Sequence, residues 1–343
     1  MTTAERYSRQ VLFRGLGEAG QERLGGASVL IVGCGALGTH VADLLVRAGV
    51  GRVRIVDRDF VETSNLHRQA LFDAQDVAGG LPKAVAAARR LAAINEEVSV
   101  EACAEQLDAG NIERLGSDVD LLLDGTDNFD TRFVLNDFAL KKRLPWIYAA
   151  CVGAYGLTMN ILPGETPCLR CLVRVLPAPG TLETCDTAGV IAPIAALIGA
   201  VESAEALKIL SGATEAASRD LLAVDLWVNV VQRLRLERDE ISAGCPACDR
   251  GEFEYLDRSR GARAVSLCGR NAVQVLPGPG ASADLESIEA RLRPLGEVIR
   301  NPYLVRARIE GLVLAVFADG RAIISGTADE ARARSIYDRY VGA

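Results

Sequence analysis

Short, wholly apolar runs alternate along the first part of the chain with longer stretches whose apolar positions recur at helical spacing. Ser28-Val29-Leu30-Ile31-Val32 is a run of strand type. It ends at Gly33-Cys34-Gly35-Ala36-Leu37-Gly38. A helical pattern follows, with Val41, Leu44, Leu45 and Ala48 on one face, and closes at Gly49. A second apolar strand at 53–56 ends at Asp57. Strands that are apolar along their whole length suit a parallel sheet covered on both faces, so this is a βαβ unit. Further strands are predicted at 98–102, 121–123, 145–150, 157–162 and 221–226, and helices at 83–94, 129–142 and 191–210. The alternation predicts a doubly wound, mostly parallel α/β domain of Rossmann-like type over residues 1–250.

The pattern changes in the tail, 255–343. A strand signal at 264–267 precedes the loop Pro277-Gly278-Pro279-Gly280. A helix at 284–295, capped by Ser282, is followed by strands at 305–309 and 312–317 joined through Glu310-Gly311. Asp319-Gly320 makes a second tight turn before a last helix at 329–340. This predicts a small, separate C-terminal α+β domain.

Composition narrows the function classes. Lys and Arg number 38 against 45 Asp and Glu, a net charge of −7, which argues against a general nucleic-acid binder. The most apolar long segment, 190–210, carries Glu202, Glu205 and Lys208 and is read as a buried helix, not a membrane span. The first residues lack the apolar core of a signal peptide, so a cytoplasmic location is expected. Nine cysteines without a secretion signal point to metal-ligand or reactive thiols instead of disulfides. Only two histidines, His40 and His67, are present, which excludes chemistry built on several histidines.

The G-x-G-x-x-G at Gly33, Gly35 and Gly38 follows a strand and opens a helix, with Asp57 beyond it. This is the dinucleotide fingerprint: glycines admit phosphates close to the backbone, the helix N-terminus supplies amide donors, and Asp57 offers acceptors to ribose hydroxyls. The same geometry would serve a dehydrogenase. The residues that follow favour a triphosphate. Ser64-Asn65-Leu66-His67-Arg68-Gln69, Lys83 and Asp124-Gly125-Thr126-Asp127-Asn128 bring two cations and an acid toward the loop. Arg and Lys neutralise phosphate charge, and Asp holds a hard cation such as Mg²⁺.

Cys168-Leu169-Arg170-Cys171 and Cys245-Pro246-Ala247-Cys248 are two C-x-x-C pairs. Together they can complete a closed four-thiolate zinc site, which cross-links instead of catalysing; a thioredoxin-like redox pair would need a different context and only one C-x-x-C. Cys185 precedes the long helix, where the helix dipole would lower a thiol pKa, though Asp186 opposes it. Cys34, Cys103 and Cys151 are read as packing groups, and Cys268 is ambiguous.

Together these residues resemble the MoeB/ThiF-type adenylyltransferases that activate ubiquitin-like sulfur-carrier proteins, relatives of the adenylation domains of ubiquitin-activating enzymes. The resemblance runs from Arg6-Tyr7-Ser8-Arg9-Gln10 to Cys248, with Ser64–Gln69, Thr126-Asp127-Asn128, the two C-x-x-C pairs and Thr184 to Gly189 as its most specific parts. It implies that ATP lies over the glycine loop, with Gly33, Gly35, Ala36 and Gly38 along the phosphates and Asp57 on the ribose. It also implies that Ser64, Asn65, Arg68 and Lys83 contact phosphate or ribose, and that Asp127 binds Mg²⁺ with Asn128 beside it. Arg9 matches an arginine that reaches the triphosphate from the other subunit of a homodimer. Cys168, Cys171, Cys245 and Cys248 match zinc ligands. Cys185 matches a cysteine proposed in some relatives to form a persulfide or an acyl-disulfide.

The implied reaction is attack of a carrier's C-terminal Gly-Gly carboxylate on the α-phosphate of ATP, with release of pyrophosphate. A carboxylate is ionised at neutral pH and needs no general base, which fits a histidine-poor chain. A sulfur-donor protein would then help convert the adenylate into a thiocarboxylate, in thiamine, molybdopterin or related sulfur-transfer biosynthesis. The tail is a poor match to a rhodanese domain, the sulfurtransferase module of some longer relatives; docking of the carrier or of a sulfur donor is favoured for it over only bracing the dimer. Three alternatives compete. A tRNA-nucleoside-activating enzyme of the same superfamily is disfavoured by the acidic charge and the C-x-x-C pairs. An NAD-dependent dehydrogenase lacks hydride-transfer groups. A non-catalytic scaffold is at odds with Arg9, Arg68, Lys83 and Asp127 occurring together.

Overall fold

A computed structural model describes residues 3–175, 185, 187–257, 263–267, 271–277 and 281–341. These residues build two sheets. The first has eight strands: β1 Ser28–Val32, β2 Arg52–Val56, β3 Ser99–Cys103, β4 Leu121–Asp124, β5 Trp146–Val152, β6 Tyr155–Ile161, β7 Leu221–Asp225 and β8 Val230–Leu234, in the order β3-β2-β1-β4-β5-β6-β7-β8. The run from β3 to β5 is parallel, and β6 to β8 add on antiparallel.

Period-two alternation explains why both faces are covered. Val29 and Ile31 of β1 enter one core with Val41, Ala42, Leu45 and Val46 of the helix Ala36–Ala48 and with the helix Lys83–Ile94. Leu30 and Val32 enter a second core with Phe133, Leu135 and Phe138 of the helix Phe129–Lys142. The sheet is therefore doubly wound, as the apolar strands predicted. Leu44 departs from its predicted core face and is exposed, because the buried stripe runs through Val41, Ala42, Leu45 and Val46 instead. Gly49 ends that helix in the left-handed conformation, its amide donating to the last turn, which favours glycine there. The apolar segment Ala192–Leu210 is a helix packed on β5 and β6, with Glu202 buried inside it. No helix among the described residues is long and apolar enough to cross a membrane.

The tail forms an antiparallel sheet: β9 Arg263–Leu267, β10 Ala272–Leu276, β11 Glu297–Arg300, β12 Leu304–Ile309, β13 Leu312–Phe317 and β14 Ala322–Ser325, in the order β11-β12-β13-β14-β10-β9. Glu310 and Gly311 both take positive φ, which gives the tight β12–β13 hairpin the sequence foresaw. Two helices, Leu285–Leu292 and Glu330–Tyr340, cover one face through Ile288, Leu292, Ala333 and Ile336. The first is shorter than predicted, and its cap is Asp284, not Ser282. The Asp284 carboxylate accepts the amides of Glu286 and Ser287 and so satisfies the free donors of the first turn. On the other face, Phe60 from the first sheet's connections packs among Ala272, Leu304, Ala315, Phe317 and Ile323.

Candidate nucleotide site and cysteine cluster

The turn from β1 into the helix Ala36–Ala48 lies against the end of β4. The Gly33 amide donates to the Val56 carbonyl at 2.8 Å, and the Gly125 amide donates to the Val32 carbonyl at 2.8 Å. Gly33 has φ +90°, and a β-carbon there would meet the Gly125 carbonyl oxygen at 2.5 Å. One added at Gly38 would run into the Gly33 carbonyl. These two glycines are demanded by the protein's own packing. Gly35 is different: the nearest heavy atom to a β-carbon there is 3.9 Å away. Nothing in the fold requires its bare backbone, so the room it leaves suits a ligand. Gly35 is also the helix N-cap and makes no side-chain capping bond, which leaves the first-turn amides for an anion.

An open cleft at the strand ends is lined by Gly33, Gly35, Ala36, Asp57, Arg68, Lys83, Asp127, Asn128 and Cys185 from the predicted set. Its position at the carboxyl ends of β1 and β4 is where open α/β sheets bind ligands. Lys83 is the first residue of its helix and is almost fully buried; its ammonium lies 3.3 Å from an Asp59 carboxylate oxygen. Arg68 donates to the Ser64 carbonyl at 2.6 Å and reaches the cleft. Asp57 is buried beneath the loop, and its carboxylate accepts the Cys34 amide at 2.6 Å and the Asp59 amide at 2.7 Å. Burial raises its pKa from the ordinary value, against the pull of Lys83. It thus braces the loop in addition to facing the cleft. Asn128 caps the helix Phe129–Lys142 by accepting the Thr131 amide.

Four predicted residues do not line the cleft. Gly38 serves helix packing. Asn65 is buried and caps its own turn by accepting the Glu62 amide at 3.0 Å. Ser64 is exposed, with its carbonyl engaged by Arg68. Arg9 is exposed on the short helix Ser8–Val11.

Reading the sequence alone missed Arg58, Asp59, Gln106 and Arg132 in the cleft wall, and gave no role to Gln69, which also lines it. Arg132 is buried, forms an ion pair with Asp124 at 2.8 Å, and donates to the carbonyls of Thr126 and Ala149. Its guanidinium lies over the rings of Phe129 and Tyr148. Its position one helical turn after Asn128 was the available signal, since both then face the same side.

Cys185 donates to the Cys151 carbonyl at 3.1 Å. The expected help from the helix dipole does not reach it, because that helix begins only at Ala192 and the effect fades within one turn. Burial pushes the Cys151 thiol up to about 12 and holds Cys34 well above its ordinary value, so both stay protonated and pack as apolar groups. Cys268 lies outside the described residues.

The four C-x-x-C sulfurs lie within 4.8 Å of one another. Cys168 is 3.7 Å from both Cys171 and Cys245, and Cys171 is 3.3 Å from Cys248. A tetrahedron with zinc–sulfur bonds of about 2.3 Å has edges of about 3.8 Å. The donor set therefore fits zinc with little adjustment. The cluster sits in the second core and joins 245–255 to the helix Phe129–Lys142, where Leu169 donates to Asn136 and Tyr255 to Asp137.

Comparison with known proteins bears on what this arrangement belongs to. The model of the ThiF family matches residues 7–247. The chain belongs to the ThiF family. This ThiF-family chain is 45% identical to the "Sulfur carrier protein ThiS adenylyltransferase" of Bacillus subtilis, across 98% of its own length and 99% of that protein. It is 41% identical to the "Sulfur carrier protein adenylyltransferase" of Thermus thermophilus, across 71% of its length and 90% of that protein. The fold is shared with the crystal structure of E. coli MccB with ATP, at TM-score 0.60 and 24% identity over 71% of this chain and 73% of that one. The chain is accordingly an enzyme of the adenylyltransferase class, as its motifs implied.

Proposed function

We propose that this enzyme adenylylates the C-terminal Gly-Gly carboxylate of a ubiquitin-like sulfur-carrier protein at the expense of ATP. The observation that carries the reading is the unfilled backbone at Gly35, set at a helix N-terminus and flanked in one cleft by Arg68, Lys83 and Asp127. The carboxylate attacks the α-phosphorus; the bond to the bridging oxygen of pyrophosphate breaks, and its electron pair leaves with pyrophosphate. The amides at the start of the helix Ala36–Ala48 hold phosphate oxygens. Lys83 and Arg68 neutralise charge that grows on the leaving group, and Asp57 takes the ribose side. Mg²⁺ suits the oxygen donors of Asp127 and Asn128, and it supplies further charge neutralisation when bound. Positioning and electrostatics carry the rate, since the nucleophile is already ionised.

The exposed Arg9 has no place in its own cleft, which supports a homodimer in which it reaches the partner's nucleotide. The cysteine tetrad holds structural zinc. Residues 1–250 carry the reaction and 255–343 form a second, smaller domain; the enzyme works in the cytoplasm. Cys185, which lines the cleft, would serve the later step as a persulfide charged by a sulfur-donor protein: its outer sulfur attacks the acyl carbon of the adenylate, AMP leaves, and the carrier is held as an acyl-disulfide. The test is to incubate enzyme, ATP, Mg²⁺ and carrier, and to trap the acyl-adenylate with hydroxylamine as a hydroxamate detected by intact mass. Asp127→Ala should abolish the hydroxamate and leave the circular-dichroism spectrum unchanged. Undiminished trapping by that variant would remove Asp127 from the reaction.

A further inference from the structure

Part of the cleft wall comes from two loops that leave the ends of β2 and β3, at 57–59 and 105–107. The side chain of Arg58 ties them together by donating to Gln106 at 2.9 Å. Asp59, in the first loop, holds the buried Lys83. A third group joins them from the C-terminal sheet. Arg321, in the turn between β13 and β14, donates from Nη1 to the Arg58 carbonyl and from Nη2 to the Ala104 carbonyl at 2.9 Å. It is 2% exposed, stacks on Phe317 at 3.6 Å and pairs through Nε with Asp319 at 3.2 Å.

Burying a guanidinium is unfavourable unless its donors are used, and an apolar side chain would brace two sheets without that penalty. What an arginine adds is a rigid fork that fixes two carbonyls from separate segments at a set spacing. Both carbonyls belong to the segments that carry Arg58, Asp59, Glu105 and Gln106 to the nucleotide cleft. Phe60, the next residue along, is itself anchored in the C-terminal sheet.

We propose that Arg321 is a positioning residue of the nucleotide site: the C-terminal sheet uses its fork to set two loops of the cleft wall, the first of which holds Lys83, so that MgATP affinity depends on a residue that never touches the nucleotide. This rests on the nucleotide reading above, and the test separates the two. Binding of a non-hydrolysable ATP analogue with Mg²⁺ is measured by calorimetry on the full chain, without carrier. Wild type, Arg321→Gln, Arg321→Lys and Ile309→Val are compared; the last trims the C-terminal core away from the loops.

Loosened loops should raise Kd about tenfold or more in Arg321→Gln. Arg321→Lys, which keeps one donor contact, should recover part of the loss, and Ile309→Val should bind as wild type. In carrier-dependent exchange of labelled pyrophosphate into ATP, measured separately with carrier present, the Gln variant should raise KM for ATP and leave kcat within about twofold. An unchanged Kd in Arg321→Gln overturns the inference. So does an equal loss in Ile309→Val at a matched melting temperature. If Arg321→Gln does not fold, Arg321→Lys decides, and wild-type affinity in it overturns the inference. Wild-type protein that binds no nucleotide sinks the function itself.

Discussion

A methyl group at Gly35 separates ligand room from structural need. The residue is an N-cap in extended backbone at φ −89°, and its new β-carbon would find no protein atom nearer than 3.9 Å. Replacing glycine where the backbone is compatible adds about 0.4–1 kcal/mol of stability, and alanine is a poorer N-cap than glycine by about 1 kcal/mol, so Gly35→Ala should melt close to wild type. The methyl would stand in the space left for phosphate. Losing one hydrogen bond to a charged oxygen is worth about 1.5–3 kcal/mol, or a roughly 10- to 150-fold weaker Kd for MgATP. Gly38→Ala makes the opposite case. Its β-carbon drives into the Gly33 carbonyl, the helix must move, and the cost is about 3 kcal/mol or more of stability. Calorimetry with MgATP and a thermal melt on both variants read the two effects apart. Gly35→Ala with wild-type affinity, or with a loss of stability like that of Gly38→Ala, would refute the assignment of Gly35 to the ligand.

The cysteine tetrad should hold one zinc per chain by elemental analysis, and Cys171→Ser should lose the metal and lower the melting temperature, because the cluster fastens 245–255 to the second core; a native, metal-free protein would contradict this. Asp137 is pushed up to about 6 by burial. Because the folded state holds that proton above the unfolded value of about 4, stability should fall as pH rises from about 4 through 6 and then level off, by at most about 3 kcal/mol. Asp137→Asn keeps an acceptor for the Tyr255 amide and should flatten that slope in urea melts at a series of pH values; an unchanged slope would refute it.

What the chain declared locally came through, and what depended on distant partners did not. The placement of the glycine loop, Lys83 and Asp127 in one cleft, and the meeting of the two C-x-x-C pairs, were legible because each rests on backbone freedom or donor chemistry at short spacing. The apolar strands β1, β4 and β5 declared a sheet covered on both faces. Arg132 went unseen because its partner Asp124 and its aromatic cover become visible only when β4, β5 and the helix Phe129–Lys142 are packed. Arg321 went unseen for the same reason at longer range, since its acceptors lie in the other sheet. Strands β8, β10, β11 and β14 were not foreseen; β8 is exposed along its whole length, so no burial pattern marks it. At Cys185 the error was one of distance: adjacency in sequence to a long helix did not place the thiol at its first turn.

The account stands most directly on pyrophosphate exchange into ATP. With Mg²⁺ and a sulfur-carrier protein ending in Gly-Gly, the enzyme should exchange labelled pyrophosphate into ATP, and removal of the carrier's last glycine should abolish the signal. Absence of exchange with any such carrier, together with a signal stimulated by tRNA or turnover of a nicotinamide nucleotide, would contradict it.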